Sequence, residues 1–291
     1  MEGDAVWRHA RIEFGAPSPF DDLPEDVWEA LSATETRPRY ASLEGGHLLV
    51  LRGVNVNPGD LPEDMVSLRL WLGPHGIVSV TIRRVWAVEA TETALEDGSL
   101  PAEPLAIVLF MAERLAIRIR DAILAMDEAT QAAEEALLSE ENDQDLRTLQ
   151  ETIRRLRRRA IWLRRHLAPQ RAALADFLHA AGPEMNQDLV EDFDEVVNEA
   201  QRAAEAVHTL TEYGGVLQDQ LEAVRDAQMA RTSYILGLVA AVFLPLNLLA
   251  AIFGANVGGI PWAENPYGFV LLSAVCLVIA AAGAWVLRKR R

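Results

Sequence analysis

An amide side chain inside a long apolar segment is the feature of this sequence with the clearest capacity for chemistry. Asn247 lies in an uncharged run, where a carboxamide is costly unless it faces protein or water. At helical spacing it falls on one face with small or polar residues and a single leucine; we call this set the Asn247 stripe, and it comprises Ser233, Gly237, Ala240, Leu244, Asn247, Ala251 and Gly254. Two interpretations are open: a close helix-packing face, or the wall of a central pore built by several copies.

Elsewhere the sequence shows no grouping typical of catalysis or of tight metal binding. The six histidines form no HExxH pair, lie outside the apolar segments and are expected to be surface or core residues: His9, His47, His75, His166, His179 and His208. No phosphate-binding glycine loop and no nucleophile with a recognisable partner set is present, so an enzyme is the least expected class. The single cysteine, Cys276, excludes thiolate metal clusters and disulfides within the chain. No cofactor is expected.

Two apolar segments must position the stripe. Residues 233–253 and 267–287 each have the ~20-residue length with which a helix crosses a ~30 Å hydrocarbon core, and a short loop at 254–266 joins them. We therefore predict a membrane protein with two C-terminal transmembrane helices, of which the first carries the stripe. Neither segment contains Asp, Glu, His, Lys or Arg, so a carboxylate relay inside the membrane is not available.

The distribution of positive charge predicts the orientation. Residues 288–291 are all basic, whereas the connecting loop carries only Glu264. The positive-inside rule then puts the C-terminus in the cytoplasm, and two crossings return the N-terminal region to the same side. Glu2 and Asp4 replace the basic and apolar start of an export signal, so no cleavable signal is expected. Both termini are expected to be cytoplasmic, with the loop facing outward.

The N-terminal region is strongly acidic. Of 27 basic and 43 acidic residues in the chain, four basic and one acidic lie beyond residue 231, which leaves 23 against 42 and a net charge of −19 for residues 1–231. Such a field repels nucleic acid and attracts cations. Solubility alone would select the same composition, so both interpretations stay open.

The first 104 residues have the pattern of a cytoplasmic α/β domain. Three apolar or alternating runs predict strands of a small sheet with flanking helices: HLLVLRGV (47–54), MVSLRLWL (65–72) and IVSVTIRRV (77–85). Gly73-Pro74-His75-Gly76 between the last two is typical of a hairpin turn.

A cytoplasmic helical region is expected over residues 105–183, with helices at 105–139 and 146–181. The second of these is rich in arginine: Arg154, Arg155, Arg157, Arg158, Arg159, Arg164 and Arg165. Phosphate or lipid binding is one interpretation. Interleaved apolar residues favour the simpler one, an amphipathic helix whose basic flank faces acidic residues such as those from Glu191 to Glu205.

A stalk helix is expected over residues 184–232. From Leu189 to Val224, apolar or small residues recur at an unbroken 4-3 spacing, which indicates a coiled-coil-like seam. No proline or turn cluster separates this seam from the first apolar segment. A single helix of roughly 70 residues is therefore expected to run from the cytoplasm through the membrane.

Motifs along nearly the whole chain carry a resemblance to a known family. They are Phe243-Leu244-Pro245, Gly254-Ala255-Asn256, Val257-Gly258-Gly259-Ile260-Pro261, Glu35-Thr36-Arg37-Pro38-Arg39, Leu51-Arg52-Gly53-Val54-Asn55, Asp64-Met65-Val66-Ser67-Leu68-Arg69 and Leu163-Arg164-Arg165-His166-Leu167-Ala168-Pro169-Gln170-Arg171. They resemble the CorA-type divalent-cation transporters, whose signature is Gly-Met-Asn. Ala255 departs from the Met, and with the following Gly-Gly-Ile-Pro it looks like the zinc-transporter branch known as ZntB, in which the middle residue varies.

The resemblance implies a funnel-shaped homopentamer in a bacterial inner membrane. The first-span helices would line the pore, and Asn256 of each subunit would form a ring at the outer entrance. Amide oxygens suit that place, because they can hydrogen-bond the water shell of a dication without the expense of stripping it. Gly254 and Ala255 stand at the first two positions of the signature tripeptide, and Leu244 would be a hydrophobic constriction one turn deeper than Asn247.

We therefore predict transport of divalent cations, zinc preferred, through a homopentamer. By resemblance the zinc branch is proton-coupled, and any coupling here would act through the hydrated pore, Glu264 or the cytoplasmic domain. Two alternatives stay open: a magnesium or cobalt channel gated by cytoplasmic metal, and a membrane-anchored coiled-coil scaffold in which the Asn247 stripe only packs helices. Membrane lipid and divalent cations are the expected partners.

Overall fold

The computed structural model describes residues 6–34, 37–59, 64–139, 143–255 and 265–289. The chain divides into two compact units, Met1–Gln218 and Asp219–Arg291. The longest helix contributes to both units. Asn256 and Glu264, which the sequence assigns to the outer loop, lie outside the described residues.

The first unit contains a five-stranded sheet. Its strands are β1 (Trp7–Arg11), β2 (Arg39–Leu43), β3 (Gly46–Gly53), β4 (Val66–Gly73) and β5 (Gly76–Thr81). They are arranged in the order β1-β5-β4-β3-β2, and only the β1–β5 pair is parallel. The N-terminal strand therefore lies at the edge opposite β2.

The central strands confirm the sequence prediction, and the edge strands were not predicted. Strands β3 and β4 match the predicted runs to within one residue, and Gly73 pairs with Gly76 across the expected hairpin. Gly76 has φ 115°, a conformation that a side chain would strain. Strand β5 ends at Thr81 rather than continuing to residue 85, because α2 begins at Trp86 after a short connection.

Six α-helices are present among the described residues: α1 (Glu25–Ser32), α2 (Trp86–Glu96), α3 (Pro104–Leu138), α4 (Asp143–Ala181), α5 (Gln187–Gly254) and α6 (Gly268–Lys289). Helix α3 begins with a proline, which fits the first turn because no hydrogen bond is lost there. Helix α4 begins three residues before the predicted start. Helix α5 is continuous over 68 residues, which confirms the predicted length of roughly 70.

Helices cover both faces of the sheet. Leu48 and Trp71 pack against Val27 and Leu31 of α1 on one face. Alternate residues of the same strands point the other way and join a larger core with α2, α3, α4 and the beginning of α5. In that core the rings of Phe177 and Phe193 lie 5.4 Å apart between centroids, and neither side chain is more than 1% exposed.

The 4-3 seam of α5 packs within its own chain. Val207 and Leu210 share one cluster with Ile123 and Met126 of α3 and with Leu163 of α4. The seam residues from Phe193 to Leu217 are buried, whereas Val224 is 36% exposed. The periodicity thus reflects a three-helix bundle inside the first unit.

Candidate functional site

All seven residues of the Asn247 stripe lie on the part of α5 that belongs to the second unit, and all seven are exposed in the single chain. Because α5 is helical throughout, spacings of three and four residues bring them onto one face. Leu244, with 68% of its surface exposed, is the single large apolar member. The structure therefore places the predicted set on one surface that is exposed in the single chain.

Helix α6 contacts a different face of α5. A Cβ added at Gly283 would come closer than 3.0 Å to Cγ2 of Val242, and 3.4 Å from its Cγ1, so the two helices approach closely there. The partly buried residues of the α5 apolar segment share the face of Val242: Leu238, Val242, Leu246 and Leu249. At about 100° per residue, this face is roughly half a turn from the Asn247 stripe.

This arrangement leaves the carboxamide of Asn247 on the surface that α6 does not cover. In a hydrocarbon environment, an amide is stabilised by water or by polar groups of another protein chain. Because a second copy would present the same surface, a symmetric assembly can collect these amides around one axis. The geometry is compatible with both interpretations of the stripe.

The Gly-Ala-Asn tripeptide begins where α5 ends. Gly254 is the last residue of the helix, and a Cβ added there would meet no atom within 4 Å. Ala255 follows and is exposed. The role predicted for Asn256 stays a prediction.

Length and composition make α5 a candidate membrane span. It contains an apolar window of 18 residues, and none of that window is buried. In α6, which has 22 residues, the apolar stretch among described side chains covers Gly268–Gly283 and is shorter than such a window. The second span therefore stays a prediction of the sequence.

No group of three or more His, Cys, Asp or Glu side chains within the described part of the chain has the arrangement of a metal site. Three of the histidines belong to local contacts instead. His9 Nδ1 lies 2.8 Å from Ser79 Oγ, and His47 Nδ1 lies 2.8 Å from the hydroxyl of Tyr40. The ring of His166 lies beside Trp162, with centroids 6.4 Å apart.

Two histidines are held in the neutral state by their surroundings. Burial lowers the pKa of His9, a hydrogen bond from its ring to the Ser79 backbone opposes this by raising the pKa, and the charge of Arg11 lowers the pKa further. Burial, followed by the nearby charges of Arg52, Arg165 and Arg37, lowers the pKa of His166 to about 4. Both imidazoles are thus expected to be uncharged at neutral pH.

The arginine-rich part of α4 is amphipathic, as predicted. Its apolar residues Ile153 and Leu163 are at most 2% exposed, and five arginines lie on the exposed side: Arg154, Arg155, Arg158, Arg164 and Arg165. Arg157 reaches α5 and donates a hydrogen bond of 2.7 Å to Gln218. The ion pair that joins Glu199 to another helix comes from Arg120 of α3, at 3.8 Å.

One buried charge was not singled out by sequence analysis. Arg69 of β4 is completely buried, and within the described part of the chain its Nε and Nη1 atoms have no hydrogen-bond partner. Its Nη2 donates to the carbonyl of Ala33 at 3.0 Å. The signal in the sequence was a lone cation within the apolar run 65–72.

An α/β domain with long helices, followed by an apolar helix of membrane length, defines a membrane protein with a large water-soluble N-terminal part. Residues 21–289 match the family model described as CorA-like Mg²⁺ transporter protein, and the chain belongs to that family of membrane transporters. The family resemblance found in the sequence is therefore confirmed.

Two relatives cover most of the chain. The divalent cation transporter CmaX of Pseudomonas aeruginosa is 35% identical over 273 residues, which are 92% of this chain and 80% of the relative. The zinc transport protein ZntB of Pectobacterium carotovorum subsp. carotovorum is 29% identical over 269 residues, 92% of this chain and 81% of that protein.

Solved structures agree with this assignment. The full-length CmaX protein is 32% identical with a TM-score of 0.77, and the match covers 97% of this chain and 87% of CmaX. The complete CorA magnesium transporter from Methanocaldococcus jannaschii has a TM-score of 0.75 at 16% identity, over 91% of this chain and 82% of that one. The latter likeness shows the fold alone.

Proposed function

We propose that this protein carries divalent cations across a bacterial inner membrane, through a central pore of a homopentamer. The observation that carries the proposal is the exposure of the Asn247 stripe on the face of α5 opposite the contact between Val242 and Gly283. Two helices cannot enclose a water path, so conduction needs several copies with the stripe toward the axis. Membership of the CorA-like family supports the same conclusion, as does the similarity to the divalent cation transporter CmaX and to the zinc transport protein ZntB.

The proposed pathway handles cations that keep their water. Amide oxygens of Asn256 at the outer entrance, and of Asn247 deeper in the membrane, accept hydrogen bonds from the hydration shell. Small residues such as Gly237 and Ala240 leave room for that shell, and Leu244 forms the narrow apolar constriction. The transported metal ion is the cargo of this pathway, and its preferred ligands are oxygen atoms of water and amides.

The negative net charge of the soluble region attracts the transported cations. With both termini in the cytoplasm, a region carrying −19 lies on the side where imported cations arrive. Its field lowers the free energy of a dication near the inner mouth, and the effect weakens with ionic strength over a Debye length of ~8–10 Å.

Zinc is the preferred cargo in this proposal, supported by the resemblance of the Gly254 to Pro261 segment to the zinc branch and by the ZntB relative. If transport is coupled to protons, the coupling acts outside the hydrocarbon core. No titratable acid, histidine, lysine or arginine occurs in residues 233–253, so the water in the pore, Glu264 or the soluble unit must supply it.

Zinc flux into proteoliposomes tests the pathway. Asn256→Ala should abolish uptake while the pentamer stays intact by native mass spectrometry, and Asn247→Ala should reduce uptake. Ile252→Ala is the matched control, because this residue is 47% exposed on another face of α5 and should leave flux unchanged. Normal flux in Asn256→Ala would refute the role of that residue, and pentamers without flux of any dication would favour the scaffold.

Competition among Zn²⁺, Mg²⁺, Co²⁺ and Ni²⁺ in the same assay, with and without a pH gradient, tests the cargo. Zinc uptake that accelerates with an inward proton gradient is the expected result. Uptake of Mg²⁺ or Co²⁺ that ignores the gradient and falls with metal on the cytoplasmic side would instead favour a metal-gated channel.

A further inference from the structure

Two helices of the first unit carry opposite charge. Residues 151–171 of α4 contain eight arginines against one glutamate, which gives a net charge of +7 with histidine neutral. Residues 187–218 of α5 contain eight acidic residues against one arginine, which gives a net charge of −7. Both segments pack in the same three-helix bundle. The sequences of α4 and α5 are therefore electrostatic complements of each other.

The outer side of α4 has cations that bind no acid of their own chain. Arg158 is exposed and forms neither an ion pair nor a hydrogen bond within the described part of the chain. Arg165 is exposed as well, and its guanidinium lies 5.8 Å from the ring centroid of Trp162 on the same helix. Ile161, between the two arginines, is 44% exposed. Arginine beside exposed apolar and aromatic side chains is typical of the centre of a protein interface.

The outer side of α5 presents acids at the same interval. Glu205 and Glu212 are seven residues apart, as the two arginines are, and a step of seven returns to the same side of a helix. Both glutamates are exposed, and their contacts are one turn away on α5: Glu205 accepts a hydrogen bond from Gln201, and Glu212 lies 3.8 Å from His208. A carboxylate has about four acceptor sites, so each can also receive an arginine from another chain.

Contacts inside the bundle fix which residues of α4 and α5 lie at the same height. The rings of Phe177 and Phe193 pack together, with centroids 5.4 Å apart. Further back along α4, Arg157 packs over Gly214 of α5, where an added Cβ would lie 3.4 Å from the Cβ of Arg157. From the first contact to the second, α4 runs backward and α5 runs forward by nearly the same number of residues. The two helices are therefore antiparallel in a constant register.

This register aligns the two charged sets. It places Arg165 level with Glu205, and Arg158 level with Glu212. In a ring whose axis runs along the bundle, the rotation from one copy to the next leaves every residue at its own height. Each interface of such a ring joins two different surfaces of neighbouring copies. The outer sides of α4 and α5 are two such surfaces, and their charges match at two heights.

We propose that the outer side of α4 binds the outer side of α5 of a second copy of this chain, and this inference rests on the ring of the proposed function. Arg158 pairs with Glu212 of the partner subunit, and Arg165 pairs with the partner subunit's Glu205. Ile161 fills the space between the two ion pairs. Because one subunit contributes α4 and the next contributes α5, the contact repeats head to tail around the ring. Charge pairs of this kind mainly set the orientation and the choice of partner.

Paired cysteines test the contact in the full-length protein in detergent. Cys276→Ala removes the single native thiol, and Arg158→Cys and Glu212→Cys are then combined in one chain. A short bis-maleimide should give a ladder of covalent dimers, trimers and larger species on a denaturing gel, because every copy offers one thiol to each neighbour. Either cysteine alone should give no ladder, because the contact never brings two copies of the same position together. A link within one chain would leave the protein at its monomer mass.

Charge reversal tests the ion pairs. Arg158→Glu and Glu212→Arg should each raise the concentration at which the oligomer dissociates by at least about tenfold, measured by analytical ultracentrifugation, because like charges then face each other. The double variant should return to the wild-type concentration, because opposite charges face each other again. Arg164→Glu is the matched control, since Arg164 is exposed about 120° around α4 from Arg158, and it should change nothing.

The outcomes separate this inference from the proposed function. An oligomeric wild-type protein whose double-cysteine variant stays at the monomer mass would overturn the inference alone. Equal weakening by Arg158→Glu and Arg164→Glu, without recovery in the double reversal, would do the same, because it indicates surface charge in general. A full ladder from a protein that carries no dication would support the interface and contradict the proposed function. A wild-type chain that stays monomeric in detergent and in nanodiscs would overturn both.

Discussion

The close approach of α5 and α6 supports a quantitative prediction. In Gly283→Val, the new Cβ would lie within 3.0 Å of one methyl of Val242 and 3.5 Å from the Cβ of Val242. The first distance is shorter than an ordinary van der Waals contact, and the valine would add two further methyl groups. Overpacking of this kind costs about 1–3 kcal/mol, and the helix preference of valine over glycine offsets a few tenths. A net loss of about 1–3 kcal/mol is expected.

A double-mutant cycle isolates this contact. Val242→Gly in the Gly283→Val background exchanges the two side chains and restores the total volume, so the coupling energy should be at least about 1 kcal/mol. The readout is the midpoint of thermal unfolding of the full-length protein in detergent. Ala241→Val is the comparison, since Ala241 is exposed in the single chain and belongs neither to the Asn247 stripe nor to the Val242 face.

An unchanged midpoint in Gly283→Val, or a double variant as unstable as the sum of the single changes, would refute the reasoning. In that case α6 would not lie against the Val242 face of α5. The conclusion that α6 leaves the Asn247 stripe uncovered would then have no support.

Three further predictions concern the soluble unit. Gln170→Ala should lower the free energy of unfolding by about 1–3 kcal/mol, because the buried amide oxygen that accepts the Arg52 backbone N–H is lost; a midpoint equal to wild type would contradict this. Val207→Ala, at a site with 0% exposure, should cost about 2–3 kcal/mol, whereas Val216→Ala, 47% exposed, should stay within about 0.5 kcal/mol. The pKa of His166 is about 4 in the folded state and 6.5 in the unfolded state, so the unfolded state binds the proton more readily. Its contribution to stability should be constant above pH 6.5, fall as the pH drops from 6.5 to 4, and level off below pH 4. His166→Asn should reduce that fall, which is measured as the unfolding midpoint against pH.

Long periodic segments were predictable because one physical pattern repeats in them many times. The 4-3 spacing of α5 predicts its helix, and the apolar runs of β3 and β4 predict two strands of a small sheet. The edge strands β1 and β2 have five residues each and exposed polar positions, so their periodicity is short. Their place depends on partners elsewhere in the chain.

Short helices were harder to locate for a related reason. Helix α1 follows Pro24 and α2 follows Val85, and neither has a side chain that caps its first turn. The sequence therefore lacks the usual start signal of a serine, threonine or aspartate. Tertiary burial of Val27 and Ala87 specifies these helices instead.

The candidate site was predictable in part. Spacing alone places the seven residues of the Asn247 stripe on one face of a helix. Which face α6 covers depends on contacts between two helices, such as that of Gly283 with Val242, and no pattern within one helix contains that information.

The position of β1 in the sheet affects how a newly made chain assembles. Its parallel partner β5 begins at Gly76, so at the usual 5–20 residues per second the N-terminal strand waits about 3–13 s on the ribosome with an unpaired edge. Ala200, the last buried member of the main core in chain order, is synthesised later still. Cotranslational folding of this unit is thus delayed until α5 emerges. Nascent chains that stall earlier expose strand edges with unpaired backbone N–H and C=O groups, through which they can pair with one another.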